Sequence, residues 1–546
     1  MSREGGLRRS AAMLALAGGV EFGLQLALPI ILVRYLDETA FGEYRMLWLL
    51  ANTVMAIAPA FMPQSLFYFL PRGAPHDRGM LIGNVLLYMG AAACVTAIVT
   101  SGANPWLHEA VRIVFIHTHG MSAVFLALWV LASTLDVLPT AEGRMAWQAR
   151  AMIGMALART ALLALAALAT ANIVWVGVAM VCVATIKVGL LIFYVFPLMR
   201  AGQIGWDRAR LKQQFVYAIP FALGNAFFQL RGQADQWVVI TMLSPAMYAT
   251  FSIASVVQPV AALIRQPVSN AMMSRLNAAR TRGDHAEIQS LILKSNGATA
   301  LLLVPIIGGL LVAAPEIVNI IYTNRYQQTA AIMQVYLVGM LTNIYAVGHV
   351  LTALDKVTFA AVNSACSLLQ SIVFSIIGIH YFGLSGAAIG GVLSLALGEL
   401  WALRVVSSSL AAPMRHLVPW AAMFPAAIAS CAAIIGVVML QARLPGHGIV
   451  LFLTKGSIYL AFFAPCFVLF GGLEQMRTLF GWPRARNCAD ALAKTPTKTL
   501  AKTATRTYPK IPGNRATDVR DRVQITIQAK VPAKWQAAAV SGETRK

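Results

Sequence analysis

Along this chain one apolar run follows another, each near the 20 or so residues that a helix needs to cross hydrocarbon. About fourteen such runs lie near residues 11–33, 44–70, 81–101, 112–138, 151–170, 173–197, 214–242, 247–269, 289–313, 328–353, 358–380, 384–404, 416–440 and 449–473. Hydrocarbon holds no water to satisfy a stray N–H or C=O, so runs of this length are helices. The composition agrees. Of the 546 residues 58% are hydrophobic and 12% charged, against about 25% charged in soluble domains. The expected fold is an all-α polytopic membrane protein of about 14 transmembrane helices. Arg3, Arg8 and Arg9 precede the first run, which lacks a small-residue cleavage site and reads as a membrane helix rather than a leader. Cys94, Cys182, Cys366, Cys431, Cys466 and Cys488 are isolated and form no CxxC pair, so they read as small hydrophobes, not as disulfides or metal ligands.

Basic residues gather at alternate run ends. Arg72 and Arg78, Arg144 and Arg150, the Arg200–Lys212 stretch, Arg275–Arg282, Lys356, Arg404, Arg415 and a basic tail share one side with the N-terminal arginines. The other side holds Arg34, Arg45, Arg112, Arg325 and Arg443. The richer side faces the cytoplasm, which puts both termini inside. The chain also echoes itself. YLDETAFGEYRMLWL at 35–49 aligns without gaps to MLSPAMYATFSIASV at 242–256, and a proline-broken run follows each copy, with Pro59 and Pro63 in one and Pro259 and Pro267 in the other. A repeat of that kind gives two six-helix lobes, 1–197 and 214–404, joined by a cytoplasmic linker 198–213. Residues 405–474 then add two further helices, and 475–546 form a tail.

Several polar side chains sit inside the runs, where an ionised group costs several kcal/mol or more. In NAFFQLRGQADQWVVI at 225–240, Asn225, Gln229, Gln233 and Gln236 share an arc of about 80°, with Arg231 and Asp235 at i and i+4 on the adjoining face. So broad a polar arc excludes a lipid-facing helix. Two readings stand for Arg231 and Asp235: an intrahelical ion pair that anchors packing, or a substrate-contacting cation beside an acid that orients substrate or binds a coupling cation. Glu21 with Gln25, Lys187 and Arg159 lie within other runs, as do Gln334, Asn343 and Asn363. Glu21 and Lys187 are deep enough to line a cavity. Arg45 follows the first turn and reaches either outer headgroups or a cavity mouth. Arg265, His349 and Glu399, near run ends, are expected to snorkel to the interface.

No GxxxxGK[ST], HExxH, CxxC or GxSxG occurs, so no nucleotide loop, metal site, cofactor or catalytic residue is expected. The short outward connections disfavour an enzyme. From residue 475 on, fifteen Lys and Arg face four Asp and Glu. KTPTKTLAKTATRTYPK, without an apolar face and with prolines at both ends, reads as a disordered basic tail near anionic lipid rather than as a nucleic-acid binder.

LVRYLDETAFGEYRMLWLL at 32–50 resembles the R-h-L-G-x-x-x-(F/Y)-G-x-Y signature of polysaccharide-repeat-unit flippases, a family of the multidrug/oligosaccharidyl-lipid/polysaccharide exporter superfamily. FQLRGQADQWVVITMLSPAMYATFSIA at 228–254 resembles its second-half counterpart. Asp37 stands where that signature has glycine, and Ala249 where the first copy has Gly42. The resemblance covers roughly residues 10–475 and implies a two-lobed transporter of 12–14 spans in a bacterial inner membrane. Such a transporter moves a polyprenyl-pyrophosphate-linked oligosaccharide by alternating access for exopolysaccharide, capsule or O-antigen synthesis. Arg231, Lys187, Arg45 and Arg265 would then pair with pyrophosphate, and amides such as Gln229, Gln233 and Asn343 would meet sugar. Glu21 or Asp235 would couple H⁺ or Na⁺, and other polysaccharide-assembly proteins would be partners. The rival readings are a multidrug/cation antiporter of the same superfamily and a membrane-embedded glycan polymerase or ligase.

Overall fold

The computed structural model describes residues 3–480 apart from 75–76, 102–103, 106–107, 323, 346 and 442–447. The tail from 481 on, and the disorder and lipid contact expected of it, lie outside the described residues. Every regular element among the described residues is helical: α1 (Arg3–Tyr35), α2 (Glu38–Ile57), α3 (Met62–Phe69), α4 (Arg78–Val99), α5 (Glu109–His117), α6 (Met121–Ala132), α7 (Leu138–Ala141), α8 (Met145–Thr170), α9 (Ile173–Arg200) and α10 (Arg208–Arg231). There follow α11 (Ala234–Met242), α12 (Pro245–Ala254), α13 (Gln258–Thr281), α14 (His285–Tyr322), α15 (Thr329–Gly339), α16 (Val347–Ala353), α17 (Val357–Ser409), α18 (Trp420–Leu440), α19 (Ile449–Leu469) and α20 (Gly472–Phe480).

Among the described residues eleven helical stretches, three of them joining two of these helices through a 3-10 turn, are long and apolar enough to cross a membrane, and twelve when the bent pair α2–α3 is taken as one span. Two details bring that number to the fourteen or so runs of the sequence. Helix α17 is 53 residues long, about 80 Å at 1.5 Å per residue, far more than a 30 Å core. Gly383, at φ 59° and ψ −142°, divides it into two helices. The stretch 208–242 is too polar to register as a span, for the reason its amides already gave. The chain is a multi-pass membrane protein.

The breaks have local causes. Helix α2 stops where Pro59 and Pro63 approach, with Ala60 and Phe61 at positive φ, and α3 leaves at 43°. A 3-10 turn at Ser255–Val257 precedes Pro259 and separates α12 from α13. The run 112–138 is not one helix. His119 and Gly120, at φ 49° and 76°, end α5 and start a span at Met121–Ala141. The run 214–242 is likewise broken, at Gly232–Gln233, so Arg231 closes one helix and Asp235 opens the next.

The two stretches that echo each other in sequence begin alike. Asp37 accepts a hydrogen bond from the Ala40 amide at 2.7 Å and caps α2, while Ser244 accepts one from the Met247 amide at 3.3 Å and caps α12. The departure from glycine at Asp37 therefore supplies a cap. These helices also pack on one another. A Cβ on Gly42 would lie 2.0 Å from the Pro245 carbonyl oxygen, so only glycine permits that approach. Arg45 Nη2 donates to the Ser252 carbonyl at 3.0 Å across the same contact. In the gapless alignment Arg45 and Ser252 are equivalent positions.

Around this contact, α1 lies along α8, α6 packs on α4 and α9, and α10 and α11 lie on α17. Beyond α9 the connection 201–207 is held on α4, where Asn84 Oδ1 accepts from the Asp207 amide at 3.0 Å and Arg210 pairs with Asp77 at 2.7 Å. The last helices, α18 and α19, dock on α14. Lys455 Nζ donates to Glu316 Oε1 at 2.6 Å inside that interface. Tyr459 Oη donates there too, 3.0 Å from the Pro305 carbonyl and 3.1 Å from Ser430 Oγ.

Candidate functional site

A polar concavity lies among the first nine helices. It holds about 360 Å³ and is walled by Glu21 and Gln25 of α1, Trp48, Asn52 and Met55 of α2, Trp129 of α6, and Asp136 of the 3-10 turn that follows. Gln148, Met152, Met155 and Arg159 of α8 and Lys187 of α9 complete it. Two carboxylates and two cations thus share one wall. Lys187, 6% exposed, donates to Asp136 Oδ2 at 2.8 Å, and its ammonium stands 4.3 Å from the Trp129 ring centroid. Arg159, 7% exposed, stacks over Trp48 at 5.3 Å. The two indoles meet edge to face at 5.9 Å. The negative faces of the two indoles attract these cations. The Asp136 side chain is half exposed, so solvent reaches the cavity from that end.

The sequence candidates fall into separate places. Glu21 and Lys187 line this cavity. Arg231 and Asp235 do not form the intrahelical pair that their i,i+4 spacing offered, because Gly232 and Gln233 interrupt the helix between them. Arg231 Nη2 lies 3.8 Å from Glu399 Oε1 and its guanidinium over Phe228 at 5.2 Å. Asp235, 4% exposed, accepts from Tyr336 Oη at 2.6 Å and from the Gln236 amide at 2.8 Å, and it packs on Gly391. Glu399 is drawn inward by Arg231 instead of snorkelling.

Arg265 is buried as well, because three neutral acceptors meet its guanidinium. They are Thr299 Oγ1 at 2.9 Å, the Ile344 carbonyl at 3.0 Å and Asn296 Oδ1 at 3.4 Å. Arg45 belongs to the α2–α12 contact described above. Gln233 Oε1 accepts from Thr53 Oγ1 at 3.0 Å, and Trp237 Nε1 donates to that hydroxyl at 2.9 Å, so α11 is tied to α2. Gln229 and Asn343 are exposed, on α10 and on the 3-10 turn Met340–Ile344.

Sequence reasoning missed Asp136, Trp48, Trp129 and Gln148. Asp136 reads as the polar end of a span, and only the 3-10 turn Ser133–Asp136 swings it under Lys187. It missed Tyr336, which reads as one more aromatic in an apolar run. It also missed Glu316 and Lys455, although a lone charge in each of two apolar runs was a signal to look for a pair.

A family of polysaccharide biosynthesis proteins matches residues 84–331. Over 195 residues the chain is 25% identical to the probable low-salt glycan biosynthesis flippase Agl15 of Haloferax volcanii, a match that covers 35% of this chain and 40% of that protein. The lipid II flippase MurJ in an inward closed conformation superposes with a TM-score of 0.64 at 13% identity, covering 84% of this chain and 99% of the other. An inward-facing multidrug resistance transporter of the MATE family superposes at 0.55 with 12% identity, covering 71% and 94%. The chain therefore shares the fold of the lipid II flippase MurJ and of a MATE-family transporter, and residues 84–331 are similar to a family of polysaccharide biosynthesis proteins.

Proposed function

We propose that the protein is a flippase that carries a polyprenyl-pyrophosphate-linked oligosaccharide from the cytoplasmic to the outer leaflet of a bacterial inner membrane. The observation that carries this reading is the charged, tryptophan-walled cavity inside a multi-pass bundle. A sugar–pyrophosphate head group does not cross hydrocarbon unaided, and such a cavity substitutes for its hydration. Gln25, Asn52, Gln148 and Asp136 offer hydrogen bonds to hydroxyls while the lipid tail stays in the bilayer. The similarity to a glycan-biosynthesis flippase supports the substrate class.

The proposed architecture is two six-helix lobes, 1–197 and 214–404, with both termini cytoplasmic. The direct contact between Arg45 and Ser252, positions the internal alignment equates, is what a two-fold relation of two lobes would produce. The contact lies on the side with few basic residues, so it is the natural outer closure in an alternating cycle. Arg231 and Arg265 remain candidate phosphate contacts in the second lobe. Asp235 and Glu21 remain candidate coupling groups for H⁺ or Na⁺.

The antiporter alternative draws on the shared fold. It fits the cavity less well, because Arg159 and Lys187 would oppose a cationic drug. A deletion strain decides between them. Loss of surface polysaccharide with unchanged drug tolerance is expected, whereas drug sensitivity with normal polysaccharide would sink the flippase reading.

A further inference from the structure

The chamber walled by Glu21, Trp48, Trp129 and Lys187 has a neighbour. A second void, of about 90 Å³, lies against the bend between α2 and α3 and shares Met55 and Asp136 with the first. Pro59, Phe61 and Ser133 stand on one side of it, and Ala222 and Asn225 of α10 close the other. A void of that size takes several waters, or the hydroxyls at one end of a larger guest.

The two voids differ in what they touch. The residues that wall the larger one all lie between Glu21 and Lys187, hence within the proposed first lobe. A guest held there alone makes the same contacts however the second lobe is turned. A ligand shifts a conformational equilibrium only through contacts that differ between the states, so a transported head group has to touch the second lobe as well. In the smaller void that lobe offers a methyl from Ala222 and a carboxamide from Asn225.

Asn225 is exposed, and its side chain has no hydrogen-bond partner among the described residues. A carboxamide both donates and accepts, as a sugar hydroxyl does. Gln25 and Asn52 in the larger chamber are exposed and unpartnered in the same way. Arg159 is not, because its unpartnered Nε and Nη2 are shut away from solvent. Asp136, half exposed, stands where the two voids meet and adds an acceptor between the amides.

We propose that Asn225 hydrogen-bonds a hydroxyl of the carried glycan and that this contact ties the head group to the second lobe. The inference rests on the flippase reading and on the division of the lobes at 198–213.

The test uses vesicles that contain the full chain alone and a fluorescent polyprenyl-pyrophosphate-linked oligosaccharide, with the initial flipping rate followed as the lipid is varied. Asn225→Leu, which keeps the volume, should lower the maximal rate about three- to tenfold, the worth of one hydrogen bond. The half-saturating amount should change less than twofold, because the larger chamber still holds the sugar. Asn225→Ser, smaller but with a donor and an acceptor, should recover at least half of the loss on a logarithmic scale. Thermal inactivation of both variants should match the parent. In Asn225→Cys the same lipid should slow labelling of position 225 by a charged thiosulfonate at least threefold, read on its peptide by mass spectrometry. A leucine variant as fast as the parent, a serine variant no faster than the leucine one, or labelling that the lipid leaves unchanged overturns the proposal. A parent chain that flips no lipid takes the flippase reading down and this inference with it, whereas equal flipping by the parent and Asn225→Leu sinks the inference alone.

Discussion

Lys455→Met removes one member of an ion pair that is almost wholly out of solvent. The side chains of Lys455 and Glu316 are 3% and 8% exposed, and their atoms are 2.6 Å apart. Glu316 Oε2 already lacks a donor, so the variant leaves a carboxylate with no partner between α14 and α19. Breaking a buried pair from one side costs about 3–5 kcal/mol, most of it the uncompensated charge, whereas an apolar pair of similar volume is near neutral. At 1.4 kcal/mol per decade, that is roughly two to three and a half decades in the balance between docked and undocked α19. The assay is the fraction of detergent-solubilised protein that stays monodisperse after heating, read by size-exclusion chromatography. Lys455→Met should fall apart well below the parent, and Lys455→Met with Glu316→Leu should recover most of the loss. Tyr459 holds the same interface independently, so the double variant still has an anchor. A single variant as stable as the parent, or a double variant as weak as the single, would refute the reasoning.

Three further outcomes follow from contacts described above. Gly42→Ala puts a Cβ 2.0 Å from the Pro245 carbonyl oxygen; overpacking of about 1–3 kcal/mol is expected, and a disulfide placed across α2 and α12 should form more slowly in that background. Tyr336→Phe takes the hydroxyl from Asp235 and should cost about 1.5–3 kcal/mol, measured by thermal inactivation, but little where Asp235 is already leucine. Arg231→Glu should lower the yield of folded protein, and Glu399→Arg should restore part of it, whereas exchanging Arg231 with Asp235 should restore nothing.

Much of the architecture was legible because hydrocarbon tolerates so few solutions. The apolar runs marked the spans. The prolines at 59 and 63 marked the bend between α2 and α3. The site was harder to read, because its chemistry depends on which helices face each other. The i,i+4 rule placed Arg231 and Asp235 together only while the helix was continuous; Gly232–Gln233 ended that. Glu399 looked like an interfacial acid by its position in the run, yet α10 brings Arg231 to it. Asp136 needed a turn of 3-10 helix to reach Lys187. Nothing in the order of residues says that Arg265 would meet Thr299, Asn296 and a carbonyl, while Arg159 would meet no acceptor along one whole edge.

The most direct test of the central claim is translocation in vesicles that contain this protein alone. A fluorescent polyprenyl-pyrophosphate-linked oligosaccharide is placed in both leaflets, and a membrane-impermeant reagent destroys the label outside. If the protein is a flippase, the protected inner pool drains into the reagent with time, and Lys187→Ala together with Asp136→Ala slows the loss. A protected pool that stays constant, with the protein folded and correctly inserted and an ion gradient or membrane potential imposed, would contradict the account.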